Sequence, residues 1–141
     1  MIDYEIKKEA LLKKQHFKCA TCKKEFQESE KIELAHGLRN DKKNRLFYSE
    51  YVIDNILNLS ATHSGNCNDA CNVGKGSNPV QFQERLIDII SAVLMDDPSI
   101  FIIKRLNEAF NNIGSLVTDN VVILGQYAIL ENFFAHYEND V

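Results

Sequence analysis

Two close cysteine pairs 44 residues apart, a strand-like alternation that ends in histidine, and a second half with helical apolar periodicity predict an α+β chain. The expected core is a small β-hairpin with a helix, stapled by a metal ion. One helix precedes it and a unit of about three helices follows.

Residues 3–16 place Ile6, Ala10 and Leu11 at helical spacing, and Asp3 stands where an N-cap is wanted, so a helix should lead into the first cysteine pair. Ile32, Leu34 and His36 alternate with Glu33 and Ala35, the period of a half-buried strand. Residues 37–45 combine Gly, Asn, Asp and basic side chains and read as a polar loop. Residues 46–53 are aromatic and apolar enough to read as the returning strand. From Asp54 to Gly76 polar side chains crowd between glycine-bearing turns, a composition that builds a site more readily than a core. Ser77, Asn78 and Pro79 then supply a cap and a first-turn proline. Phe82, Leu86, Ile89, Ile90, Val93 and Leu94 form the stripe of one helix, stopped at Asp96, Asp97 and Pro98. A second stripe, Ile102, Leu106, Ala109, Phe110 and Ile113, ends at Gly114 as a helix C-terminus should. The apolar stretch 121–137 is long enough for a third helix, although 121–124 would also suit a strand.

With 141 residues the chain can bury one real core, and its 45% apolar and 26% charged content is that of an ordinary globular protein. A division into a core, 1–76, and a helical extension, 77–141, within a single compact unit follows from the change in pattern. No apolar run approaches the roughly 18 residues of a membrane span. The N-terminus lacks the basic-then-apolar order of a signal peptide, so a cytoplasmic protein and no membrane partner are expected. Net charge is −4, which taken alone disfavours a polyanion. The distribution matters more: residues 1–76 carry 13 basic and 11 acidic side chains (+2), and residues 77–141 carry 3 and 9 (−6). A nucleic acid would therefore meet the first half, where Arg39, Lys42, Lys43 and Arg45 cluster and Lys75 follows.

Four cysteines in a cytoplasmic chain point to metal rather than disulfides, because that compartment keeps thiols reduced. Cys19-x2-Cys22 is a knuckle and Cys67-x3-Cys71 a second close pair. Two such pairs turn their thiolates toward one point and suit a tetrahedral Zn2+ closing a long loop, which makes Cys19, Cys22, Cys67 and Cys71 the simplest shell.

The order helix, knuckle, strand ending in histidine, loop, strand, Asn-rich turn, cysteine pair and helix resembles the HNH endonuclease family, whose core is the ββα-metal motif. The residues that carry the resemblance are Cys19-x2-Cys22, Glu33 to His36, Asn58-Leu59, His63-x3-Cys67-Asn68 and Cys71-Asn72-x2-Lys75-Gly76, about 60 residues in all. The resemblance implies hydrolysis of phosphodiester bonds, most naturally in DNA, with one catalytic divalent ion such as Mg2+ in addition to the zinc. His36 would be the general base, since a neutral imidazole can take a proton from water near pH 7. Asn58 matches the family's central asparagine, which orients the histidine or its loop, with Asn55 as the competing assignment. The last metal-binding position matches either Asn68 or Asn72. Relatives often carry a zinc ligand where His63 stands, so Cys19, Cys22, His63 and Cys67 form an alternative shell. If the four thiolates hold the zinc, His63 is free for the catalytic ion.

One position departs from the family. Many members carry Asp or His immediately before the catalytic histidine as a metal ligand, and this chain has Ala35; Glu33, on the opposite face of the strand from His36, is a poor substitute. An inactive zinc-ribbon module that binds nucleic acid without cutting it is the alternative. The C-terminal helices would cover the small core or mediate a homodimer.

Overall fold

The structure, a computed structural model, describes residues 3–139. It is an α+β fold with seven helices and one two-stranded antiparallel sheet among the described residues. Helix α1 (Tyr4–Lys14) begins at Asp3, whose side chain accepts from the Ile6 N–H at 3.1 Å, and Lys13 and Lys14 complement the dipole at its other end. Its buried side differs from the expected one: Leu11 is buried and Leu12 half-buried, whereas Ile6 and Ala10 face solvent.

Strand β1 (Ile32–His36) lies where the alternation placed it. Its partner does not. Residues 46–53, expected as the returning strand, are helical: α2 (Lys42–Tyr48) and α3 (Glu50–Ile53). Asp41 caps α2 through the Asn44 N–H at 2.8 Å, and Ser49, at φ +80°, breaks the chain between the two helices while its hydroxyl caps α3. Tyr48, the last residue of α2, and Val52 and Ile53 of α3 are buried, although the aromatic composition of the segment reads as a strand. The true return is β2 (Leu59–His63), reached through a short 3-10 turn at Ile56–Asn58. Its register pairs His36 with Leu59 and Ile32 with His63. One sheet face therefore carries Ile32, Leu34, His36, Leu59, Ala61 and His63; the other carries Glu33, Ala35, Ser60 and Thr62. Helix α4 (Asn66–Asp69) follows at once.

The three C-terminal helices are α5 (Pro79–Asp96), α6 (Ile100–Asn111) and α7 (Val121–Asn139). Every residue of the α6 stripe is buried, as is that of α5 except Leu94, which is partly exposed. Helix α7 buries Ile123, Leu130 and Phe134 but leaves Val122, Ile129 and Phe133 in solvent, so its apolar residues encircle it and its sequence offers no single stripe.

The main core joins both parts of the chain, for Leu38, Tyr48, Val52 and Ile53 pack with Phe82, Leu86 and Ile90 and with residues of α6 and α7. A separate small cluster, Leu11, Leu59 and Ala61, sits under α1. Helix α5 also approaches the turn after β1: the Arg85 guanidinium lies over Gly37, and a Cβ there would force that flexible side chain to move. Leu86 is fully buried at the centre of this packing. Leu86→Ala should lower stability by about 2–5 kcal/mol in urea titration; a loss under 1 kcal/mol would show that the core is not closed there.

Candidate metal centre and histidine cleft

The first knuckle is built by its own backbone. The Cys19 N–H donates to the Lys24 carbonyl at 2.9 Å, the Lys23 N–H returns to the Cys19 carbonyl at 3.0 Å, and Lys23 takes φ +66° to close the turn. The Ala20 N–H donates to the Ala61 carbonyl at 3.0 Å, which hooks the knuckle onto the outer edge of β2. Gln15 completes that edge, accepting from the Ala61 N–H at 3.0 Å and donating to the Ala61 carbonyl at 2.9 Å. From the other side, the Thr21 hydroxyl donates to the Cys67 carbonyl at 2.6 Å and ties α4 to the knuckle.

These contacts bring together Cys19, Cys22, His63 and Cys67, whose ligand atoms all lie within 4.8 Å of one another. Bonds of about 2.3 Å to sulfur and about 2.0 Å to nitrogen put tetrahedral ligand atoms roughly 3.3–3.8 Å apart, so slight contraction would close this group on one ion. The group differs from the all-cysteine shell, for it takes in His63 and leaves Cys71 outside, with its sulfur 3.4 Å from the Thr21 hydroxyl and 3.8 Å from the Cys67 carbonyl. Cys71 lies in the turn beyond α4, and the end of β2 brings His63 to the group instead. His63 directs Nδ1 to the Cys22 sulfur at 3.4 Å and Nε2 to the Glu30 carboxylate at 3.2 Å. A carboxylate on the outer nitrogen is the arrangement that orients a metal-binding imidazole.

Burial pushes the Cys19 thiol up, but the backbone N–H groups of Cys22, His63 and Thr21 and the His63 side chain outweigh it and bring the pKa down to about 6. Cys67 is driven to about 11 by burial and by the neighbouring sulfurs of Cys19 and Cys22. The neighbouring sulfurs thus oppose ionisation of Cys67; a divalent ion removes that conflict, and the donor set fits one.

His36, at the end of β1, lines a cleft of about 180 Å³ together with Arg39, Asn40, Asn68, Asp69 and Asn72. Both competing asparagines thus reach the same cleft, four residues apart. Asn68 donates to the Glu33 carboxylate at 3.0 Å. His36 is half-buried, and its Nε2 is buried without a hydrogen-bond partner among the described residues. Burial lowers its pKa below the usual 6.5, the Asp54 carboxylate works the other way, and Arg45 and Lys7 reinforce the fall. Asn58 is completely buried: its Oδ1 accepts from the Leu38 N–H at 2.7 Å and its Nδ2 donates to the carbonyls of Leu38 and Ile53 at 3.0 and 2.9 Å. It therefore clamps the backbone just beyond His36. Asn55, its competitor, only caps the Leu57 N–H.

His63, the other candidate for a catalytic ion, belongs to the cysteine group and not to this cleft. Ala35 is 1% exposed on the α4 side of the sheet and offers no donor. Of the basic residues, Arg39 lies at the cleft, and Lys42, Lys43 and Lys75 are exposed. Arg45 is committed elsewhere, in a two-pronged ion pair with Asp54 and a 2.6 Å hydrogen bond to Asn40.

The chain matches no family model, no curated protein and no solved structure. Its site is therefore read from geometry. No helix among the described residues is long and apolar enough to cross a membrane. Glu30, Gln15 and the Arg45–Asp54 pair were not singled out in the sequence; each meets its partner across 9 to 46 residues, so no local spacing marks it.

Proposed function

We propose that the chain is a metal-dependent endonuclease of the HNH kind, acting on DNA, with zinc held by Cys19, Cys22, His63 and Cys67. The observation that carries this reading is the strand-end imidazole of His36, with one ring nitrogen buried and unpartnered, on a cleft shared with Asn68 and Asn72. An orphaned polar atom of this kind costs about 1–3 kcal/mol, which a stability role does not explain.

The residues divide the work as follows. His36, neutral at pH 7 because burial holds its pKa low, takes a proton from the attacking water. Asn58 holds the chain beyond it, and Arg39 at the cleft binds phosphate. The cleft offers the Asp69 carboxylate and the Asn68 and Asn72 amide oxygens, a thin set suited to an ion shared with phosphate and water. Asp69, Asn68 and Asn72 would hold such an ion, which would supply positive charge against the charge developing on the leaving group.

Plasmid cleavage with Mg2+, Mn2+ or Ni2+ tests the reading. His36→Ala should lower the rate by about 10²–10⁴-fold while the fold and DNA affinity persist. Because the base must be neutral, activity should fall as pH drops through a value below 6.5. Wild-type protein that leaves duplex and single strands uncut with all three ions would end the enzymatic reading. Ala35, with no donor to offer, favours the second reading, a zinc-stapled nucleic-acid-binding module without turnover.

A further inference from the structure

The cleft at the far end of α1 is of another character. About 370 Å³ in volume, it is rimmed by Lys14, Lys18 and Lys23, floored by Leu59 and Ser60, and lined by no carboxylate. Lys13 and Lys24 flank it in sequence, so residues 13–24 carry five lysines and no acidic residue. All five are exposed, and none takes part in an ion pair among the described residues. Arg45, by contrast, is neutralised by Asp54.

We propose that this knuckle cleft, not the α2 segment alone, is the surface that grips the phosphate backbone of DNA, through Lys14, Lys18 and Lys23. Charge complementarity is the first argument, and position is the second. The floor residues Leu59 and Ser60 are the cross-strand partners of His36 and Ala35, so the basic cleft lies one strand from the candidate base. Helix α1 connects the two regions: Tyr4 at its start shares a cleft with His36, and Lys14 at its end stands on the basic rim. Its 11 residues span about 16 Å, the reach of roughly five phosphates of one strand. The two carboxylates lining the Tyr4 and His36 cleft, Glu5 and Glu33, are engaged by Lys8 and Lys31, and helix α1 also carries the exposed Glu9.

The turn after α1 adds an aromatic contact. His16 and Phe17 both adopt left-handed backbone conformations, at φ 56° and 61°, and leave Phe17 58% exposed beside Lys18. Such a ring among lysines can stack on a base or sugar while the ammonium groups track the backbone.

The assignment rests on the nuclease reading for the chemistry at His36, but not for the contact itself. The test uses the zinc-loaded full chain and a short fluorescein-labelled DNA duplex, with anisotropy followed over a salt series. The variant Lys14→Gln/Lys18→Gln/Lys23→Gln should reduce the slope of log affinity against log salt by about 3, equally for unrelated sequences. Lys42→Gln/Lys43→Gln should change it less. If the triple variant melts earlier than wild type, the three single variants replace it, each lowering the slope by about 1. An unchanged slope, no binding by wild type, or tighter binding to phosphatidylserine vesicles than to duplex would overturn the surface. A wild type that binds through these lysines yet never cleaves would retain the surface and remove the nuclease reading. Cleavage by a triple variant with full affinity would do the reverse.

Discussion

Stripping the metal with a chelator, or replacing Cys19 by serine, is expected to unfold the hairpin end of the molecule. The reason is the size of what else holds it. Apart from the cysteine group and the hydrogen bonds of Gln15 and Ala20 to Ala61, α1 and the sheet are joined by the small cluster of Leu11, Leu59 and Ala61, with Leu12, Phe26, Ile32 and Leu34 partly buried against it. Three such side chains do little to offset the ordering of residues 15–36 and 59–71, whereas Leu38, Tyr48, Val52 and Ile53 are held separately by the main core. Structural zinc contributes on the order of 10 kcal/mol in small domains, comparable to the whole stability of many proteins. Amide exchange should accelerate strongly in β1 and β2 and much less in α5 and α6, whose core is independent of the cysteines. His63→Ala should weaken binding of Co2+, used as a spectroscopic reporter, far more than Cys71→Ala. Equal effects, or a hairpin whose exchange ignores the chelator, would remove the Cys3His staple.

Asn58→Ala is expected to be the most damaging substitution outside the cysteine group, at about 3–5 kcal/mol. Its side chain satisfies one N–H and two carbonyls in a fully buried place, and each group left without a partner costs about 1–3 kcal/mol. Asn58→Asp should do no better. A carboxylate could still accept from the Leu38 N–H, but it would face the carbonyl oxygens of Leu38 and Ile53 and bring buried charge. Urea denaturation reads the loss. A chemical-shift change at the His36 ring would report that the clamp also sets the imidazole. A variant within 1 kcal/mol of wild type with an unmoved His36 would show that the amide is dispensable.

Local patterns carried most of what could be read in advance. The Cys19–Cys22 knuckle, β1, the leading helix and the stripes of α5 and α6 all depend on residues within a few positions of one another. The returning strand did not. Residues 46–53 have more aromatic character than Leu59–His63, and burial against Phe82 and Leu86 of α5, together with the Asp41 and Ser49 caps, favours helix for them. The alternation Leu59, Ser60, Ala61, Thr62 and His63 was visible but belonged to a weaker-looking, polar stretch.

The candidate site divides along the same line. Cys19, Cys22 and Cys67 were marked by type and spacing, and His36 and Asn58 through the resemblance to the HNH family. Which sulfur or imidazole completes the cysteine group was not, because the choice between His63 and Cys71 depends on the Ile32–His63 register and on Thr21 tying α4 to the knuckle. The neutralisation of Arg45, the outer carboxylate on His63 and the orphaned nitrogen of His36 likewise arise from groups distant in sequence. By itself the sequence determined which groups capable of chemistry are present and which short segments hold them. Tertiary structure alone decided which of them meet, because convergence of a few atoms within several ångströms is set by strand register and helix packing, quantities that no local spacing encodes.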